Sequence, residues 1–516
     1  MNLIGDPWIP VVFENGQSGQ PEARPVGLRE LYERSSEIRD LTLAPPQRIA
    51  VMRLLLCITH AALDGPQDED DWKTCRDRIV PASLAYLKSR CDRFELFGEQ
   101  PFLQVKELEE KSGKKKESIN LDKLDLGLAA GNNATLFDQA ACPGGREHDP
   151  AWVALHLLNF LNFAGSHKVT QYRWGGQLTA KNVKHGPCLA GRPLLAILIG
   201  ATLLETIHLN LISKANRPIG PWGAPAWDIF PPNPKSEQAI ELGGSFLGRL
   251  VPLSRAVRFS KEKRALSIAS GVLFDEFPTY CDTMATVIVT KRNGKDVLQY
   301  LPVDLDRHPW RELSAVLEVR KIGAAGGPPA LRHLLRANLP DCSLWIGGLA
   351  PLKAGGYRDA GEWIFRIPVS LLQETCVAAY SAGVQVANRR AGRLQAAVKR
   401  YHQALVFHKP ATESPTSKKK TPSRSKTKDE AQRFTSRAKT LYWSILDGRY
   451  GLLIELANQQ AALAPWTALC RKAMFDAYTQ ACPHATARQI QAFAAGRRKL
   501  YLKDKSSPNI AEGDDA

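Results

Sequence analysis

Several groupings in this 516-residue chain have the residue types of a catalytic or metal centre. His148-Asp149 is an HD dipeptide in a Gly/Pro loop, without the further His and Asp that a metal-dependent hydrolase requires. Asp304-x-Asp306 with His308 follows a strand-like run, but no second carboxylate cluster accompanies it for two-metal nuclease chemistry. Cys482-Pro483-His484 is too local to set a thiol against a base. The 10 cysteines form no C-x-x-C pair, so neither a zinc ribbon nor a thioredoxin-like site is indicated. They read as buried thiols of a reducing compartment. No P-loop or dinucleotide fingerprint occurs. The residues thus point to no enzyme, no metal and no cofactor.

A different chemistry is concentrated between Pro150 and Leu204. This stretch carries Lys168, Arg173, Lys181, Lys184 and Arg192 with His167 and His185, and it holds no Asp or Glu, although 52 of the 516 residues are acidic. Gly165, Gly175, Gly176, Gly186 and Gly191 lie among these cations. Basic side chains beside glycine-exposed backbone suit phosphate and groove contacts, where peptide N–H groups assist the cations. A solvated, glycine-rich surface loop has the same composition. The whole chain carries a formal net charge of +17, which favours an anionic partner, nucleic acid or an acidic membrane surface.

The elements that must position these residues follow in order. MNLIGDPWIP lacks the basic and apolar regions of a signal peptide, and no run of 18 apolar residues occurs, so a soluble, cytoplasmic protein is expected. NLIGDPWIPVV reads as a first strand, and PPQRIAVMRLLLCITHAALDG as a helix over about 45–64 with prolines in its first turn. Another helix is expected over about 79–91, then an aromatic strand-like segment, RFELFGEQPFLQV. Residues 106–123 read as a charged loop, and DPAWVALHLLNFLNF as a helix. Residues 217–235 form an irregular, aromatic-packed connection. From about 246 to 369 the pattern is β-rich, with a hairpin turn at Arg292-Asn293-Gly294-Lys295. A long helix follows Pro368, then a Lys/Ser/Pro linker at about 409–430 expected to be disordered, then helices over about 430–460, 465–481 and 485–502. The fold class is α+β: a large mixed α/β N-terminal domain (1–368) followed by a C-terminal four-helix bundle (369–516).

Together these segments resemble the CasA family, the large subunits of type I-E CRISPR surveillance complexes (Cascade). The likeness is carried by NL-x-x-DPWIPV (Asn2, Leu3, Asp6 to Val11), APPQRIAVMRLLL, RFELFGEQPFLQ (Arg93 to Gln104), GATLLETIHLNL, LVPLSR (Leu250 to Arg255) and LYWSILDGRYGLLIELA. It spans most of the chain in the family's order. The resemblance implies a non-catalytic subunit that sits near the 5′ handle of a guide RNA and inspects duplex DNA for a protospacer-adjacent motif (PAM). It implies help in opening the duplex for R-loop formation, and a docking surface for a separate helicase–nuclease. The implied partners are CRISPR RNA, the other Cascade subunits, double-stranded target DNA and that helicase–nuclease, with no membrane.

The resemblance also assigns residues. A loop docking to the RNA complex corresponds to Gly131–Asp138, with Asn132, Asn133, Leu136 and Phe137 as contacts; Phe137 is the preferred stacking residue, Leu136 the alternative. The glycine loop that approaches the PAM corresponds to Gly165, Ser166, His167 and Lys168, with Gly175, Gly176 and Gln177 as the competing match. A wedge is expected at a turn formed by Gly347, Gly348, Leu349, Leu352 and Lys353. Lys261, Lys263 and Arg264 are candidates for a groove lysine. In the bundle, Arg389, Arg393 and Arg400 fall within about 40° on a helical wheel, a basic track extended by Lys399 for displaced DNA strand. The alternative is a non-specific basic nucleic-acid scaffold, whose binding would ignore DNA sequence.

Overall fold

The computed structural model describes the chain except residues 15–18, 112–118, 128–146, 218–219, 261–264, 320–323, 338, 352–356, 407–423 and 502–516. It divides into two compact units, Met1–Leu372 and Gln373–Ala516. The first mixes helices with small sheets and the second is helical, in agreement with the α+β reading.

In the first unit, strand Ile9–Phe13 is central in an antiparallel three-stranded sheet, between Glu22–Val26 and Ile38–Leu41. Its alternation sends Ile9, Val11 and Phe13 into the core, as a half-buried strand requires. Helix Pro45–Leu63 begins at its paired prolines and ends at Asp64 in the left-handed conformation (φ 45°). It is enclosed nearly all round, so its burial includes Arg53. Arg53 Nη1 donates to Asp282 Oδ2 at 2.7 Å, and its Nε donates to the Leu250 carbonyl at 3.1 Å. Burial pushes the Asp282 carboxyl up, but the Arg53 guanidinium, the Met284 N–H and Arg249 together outweigh it and leave Asp282 below the usual carboxylate range.

Two segments differ from the sequence reading. RFELFGEQPFLQV is not a strand: a 3-10 turn, Cys91–Phe94, leads into irregular chain. Phe94 and Phe102 stack at 5.2 Å and both pack on Trp227, so side-chain packing with the 217–235 connection replaces a ladder. The β-rich region opens with a helix, Phe246–Leu250, capped by Ser245. Its hairpin turn lies where expected, with positive φ at Asn293 (52°) and Gly294 (78°) between strands Val287–Arg292 and Lys295–Tyr300.

In the second unit, helix Glu374–Val406 packs against Arg424–Asp447, Ala464–Ala481 and Ala487–Arg497. Its buried line (Cys376, Tyr380, Gly383, Ala387, Leu394, Val398, Tyr401) follows helical spacing. Many of these residues are small, so the helices approach closely and buried aromatics donate to backbone carbonyls. Tyr442 Oη donates to Ala387 O and Trp466 Nε1 to Gly383 O, both at 2.8 Å. The single helix expected over 430–460 is two, Arg424–Asp447 and Tyr450–Asn458, interrupted at Gly448. Arg424 already lies inside the range 409–430 expected to be disordered; residues 407–423 fall outside the described residues.

Candidate nucleic-acid interface

Helix Pro150–Phe163 starts at Asp149, whose carboxylate accepts from Ala151 N at 2.7 Å. Its last turn leaves carbonyls that need partners. Ala164 N donates to Phe160 O at 2.8 Å, Ser254 Oγ donates to Leu161 O at 2.5 Å, and Cys188 N donates to Asn162 O at 3.1 Å. The end of this helix is therefore held from two other segments, through Ser254 and Cys188.

It continues as one narrow β-ribbon. His167–Lys168 pairs with Asn182–Val183, Val169 N donates to Lys181 O at 2.9 Å, and Tyr172–Trp174 pairs with Gln177–Leu178. The two competing glycine matches are the two ends of this ribbon. Gly165 to Lys168 form its base, and Gly175-Gly176 with Gln177 its tip, about seven residues or ~23 Å away. Gly175 and Gly176 have φ of 54° and 75°, and a Cβ on Gly175 would lie 2.1 Å from Pro232 O. Only glycine fits that turn. Ser166, His167, Lys168, Gly175, Gly176 and Gln177 are exposed, and Gly165 is half-buried.

The five cations of the stretch, Lys168, Arg173, Lys181, Lys184 and Arg192, are all exposed. The carboxylates that the stretch lacks are supplied from elsewhere. Glu109 sits opposite Arg173 in the ladder, and Glu276 pairs with Lys184 at 3.2 Å. At the base, Ser166 N donates to His185 Nδ1 at 3.1 Å. Burial lowers the His185 imidazole pKa, and the Arg255 and Arg192 guanidiniums lower it further.

Sequence reasoning missed Arg255 and Ser254. Arg255 is 1% exposed, and its Nη2 donates to Gly165 O at 2.6 Å and to Lys184 O at 2.9 Å. The available signal was the charged residue ending the apolar LVPLSR motif, but nothing in that motif names its partners.

Other expectations fare differently. Gly347, Gly348 and Leu349 are not at a turn: they lie buried within strand Asp341–Pro351, between Leu195–Ile199 and Tyr357–Pro368. A Cβ on Gly347 would meet the Trp345 ring at 2.4 Å and Gly361 O at 2.8 Å, so close packing accounts for glycine there. Leu352 and Lys353 fall outside the described residues, as do Asn132, Asn133, Leu136, Phe137, Lys261, Lys263 and Arg264. Residues flanking 128–146 are joined by His148 Nε2 and Asp122 Oδ1 at 2.5 Å, with His148 stacked on Trp152 at 3.6 Å. On the bundle helix, Arg389, Lys399 and Arg400 are exposed, whereas Arg393 is half-buried and engaged.

The groupings with catalytic residue types have structural roles. His148 holds Asp122 and Asp149 caps a helix. Asp304 Oδ1 accepts from Asp306 N at 3.0 Å, a local turn contact. Cys482 is fully buried, and burial pushes its thiol up to about 12. Among the described residues, no three His, Cys, Asp or Glu side chains gather as metal ligands, and no helix is long and apolar enough to cross a membrane.

The mixed α/β unit carries an exposed basic ribbon, and the helical unit, taken by itself, exposes Arg389, Lys399 and Arg400. The sequence pattern of the CRISPR-associated protein Cse1 family matches residues 2–477, and the chain belongs to that family. CasA/Cse1 of Thermus thermophilus is 26% identical over 97% of this chain and 96% of its own length. A solved structure of CasA from that organism superposes with a TM-score of 0.75 at 23% identity, covering 97% of this chain and 98% of that one. Cse1 of Acidimicrobium ferrooxidans gives 0.73 at 20% identity, covering 97% and 96%. A chain of a CRISPR RNA-guided surveillance complex gives 0.71 at 18% identity, covering 97% and 99%.

Proposed function

We propose that this chain is the non-catalytic large subunit of a type I-E guide-RNA surveillance complex, where it reads the PAM in duplex DNA and helps to open the duplex. The observation that carries the reading is the ribbon: exposed backbone and side chains at 166–168 (Lys168 among them) and 175–177, with Arg173, Lys181, Lys184 and Arg192 also exposed in the same stretch. Cations supply sequence-independent attraction to phosphate, and a narrow glycine-bearing edge suits the shallow code of the minor groove. Family membership and the surveillance-complex relative support the same reading.

In this proposal Asn132, Asn133 and Phe137, with Leu136 beside it, dock to the RNA complex. Leu352 and Lys353 take the wedge role. Arg389, Lys399 and Arg400 track displaced strand, and the chain offers a surface to a helicase–nuclease. The test compares target-duplex binding by the guide-RNA complex with and without this chain, using a motif library against a scrambled flank at fixed salt. Motif-dependent binding only in its presence is the expected result. Tighter binding without motif preference would instead support a non-specific basic scaffold, a reading favoured by the exposed arginine face of Glu374–Val406.

A further inference from the structure

We propose that Arg255 is the positioning residue that sets the pose of the ribbon base toward nucleic acid, with Ser254 as its auxiliary; this rests on the reading of Gly165–Lys168 above. Arg255 opens strand Arg255–Phe259 and lies opposite Ser270 in the ladder, so its own backbone is fixed. Its guanidinium spans both arms of the ribbon, donating through Nη2 to Gly165 O at 2.6 Å and to Lys184 O at 2.9 Å, while Nη1 donates to Ser254 O at 2.7 Å. Ser254 Oγ holds Leu161 O, four residues before Gly165, in the helix that delivers the ribbon.

The consequence follows from peptide planarity. In a trans peptide the C=O and N–H point in opposite directions. Holding Gly165 O inward on Arg255 turns the Ser166 N–H the other way, where His185 Nδ1 accepts it at 3.1 Å. His185 directly follows Lys184, whose carbonyl is on the same guanidinium. One buried arginine thus fixes two adjacent peptides on opposite arms, and with them the direction in which Ser166, His167 and Lys168 leave the base. A lysine ammonium is a point charge and lacks the planar fork by which Nη1 stays on Ser254 O while Nη2 reaches both ribbon carbonyls. Small displacements of a positioning element lose most of the benefit of a pre-set geometry. Arg255 is too buried to touch DNA, so it acts through the ribbon alone.

The test uses the assembled guide-RNA complex with the full chain as wild type, Arg255→Lys, Ser254→Ala and Lys168→Ala. The readout is the ratio of affinities for a motif-bearing duplex and a scrambled-flank duplex, with assembly and salt dependence measured in parallel. For Arg255→Lys we expect at least a tenfold loss of the ratio, with assembly retained and the salt slope unchanged. For Ser254→Ala we expect about a threefold loss of the ratio. A wild-type ratio in Arg255→Lys, alongside weakened binding in Lys168→Ala, would overturn the positioning role and leave the ribbon reading intact. Wild-type binding by both would overturn the ribbon reading itself. If Arg255→Lys fails to assemble, Ser254→Ala decides: a reduced ratio supports the role, and an unchanged ratio overturns it.

Discussion

Arg53 and Asp282 stand 229 positions apart in sequence and meet at 2.7 Å, both buried, with Met284 N donating to the second carboxylate oxygen at 2.9 Å. The pair joins the central helix Pro45–Leu63 to the chain that leads into the Val287–Tyr300 hairpin. Removing one partner leaves an uncompensated buried charge, which costs far more than a surface pair. Arg53→Met is expected to lower unfolding stability by about 3–5 kcal/mol, read from the urea midpoint of the full chain.

The same pair has a pH signature. Asp282 is held below the ordinary carboxylate range, so the unfolded state binds its proton first on acidification. Its contribution to stability is present above the unfolded pKa and is lost as pH falls through the folded one. Asp282→Asn should flatten that acid limb in a denaturation series against pH, besides lowering stability at neutral pH.

His185 acts in a higher window. Burial, with Arg255 and Arg192 facing it, holds the imidazole neutral in the fold, while Glu276 opposes the shift. The unfolded chain takes up this proton near an ordinary ~6.5. The contribution is complete above that value and is lost as pH falls toward the depressed folded one. An imidazole titration followed by NMR should show a midpoint below that of a free histidine. A midpoint at or above the free value would contradict the contact with Ser166 N–H.

Gly347→Ala is expected to be a stability variant. The added methyl meets the Trp345 ring and the Gly361 carbonyl, and overpacking of this kind costs about 1–3 kcal/mol. Thermal unfolding of the isolated chain should register the loss before any assay of duplex opening does. A variant with wild-type stability would contradict the packing at that strand.

In the helical unit, Tyr442→Phe removes the donor to Ala387 O and keeps the ring. The expected loss is about 0.5–1.5 kcal/mol, the net worth of one hydrogen bond, measured by denaturant unfolding. At the ribbon, Lys168→Ala should weaken duplex binding and reduce the slope of log K against log salt by about 0.9, in a salt titration.

Much of the architecture was legible in the residues themselves. Paired prolines at 45 and 46 marked the start of a helix, Asn293-Gly294 marked a tight turn, and the composition after Pro368 marked a long helix. Each is a local rule, acting through dihedral preference or burial over a few residues, and local rules are written in local sequence. The absence of carboxylates between Pro150 and Leu204 likewise announced a basic element before its shape was known.

What the tertiary structure alone decided is long-range pairing. Two glycine segments that competed as alternatives are base and tip of one ribbon, because its two arms pair across the intervening turn. The resemblance placed Gly347-Gly348 at a turn, yet an aromatic ring and a neighbouring strand occupy the space a side chain would need. Glu109 and Glu276 reach the basic stretch from distant segments, and Arg255 finds two carbonyls 90 and 71 positions away. Composition reports which groups are present; distance between them is set by packing of the whole unit, which no local pattern encodes.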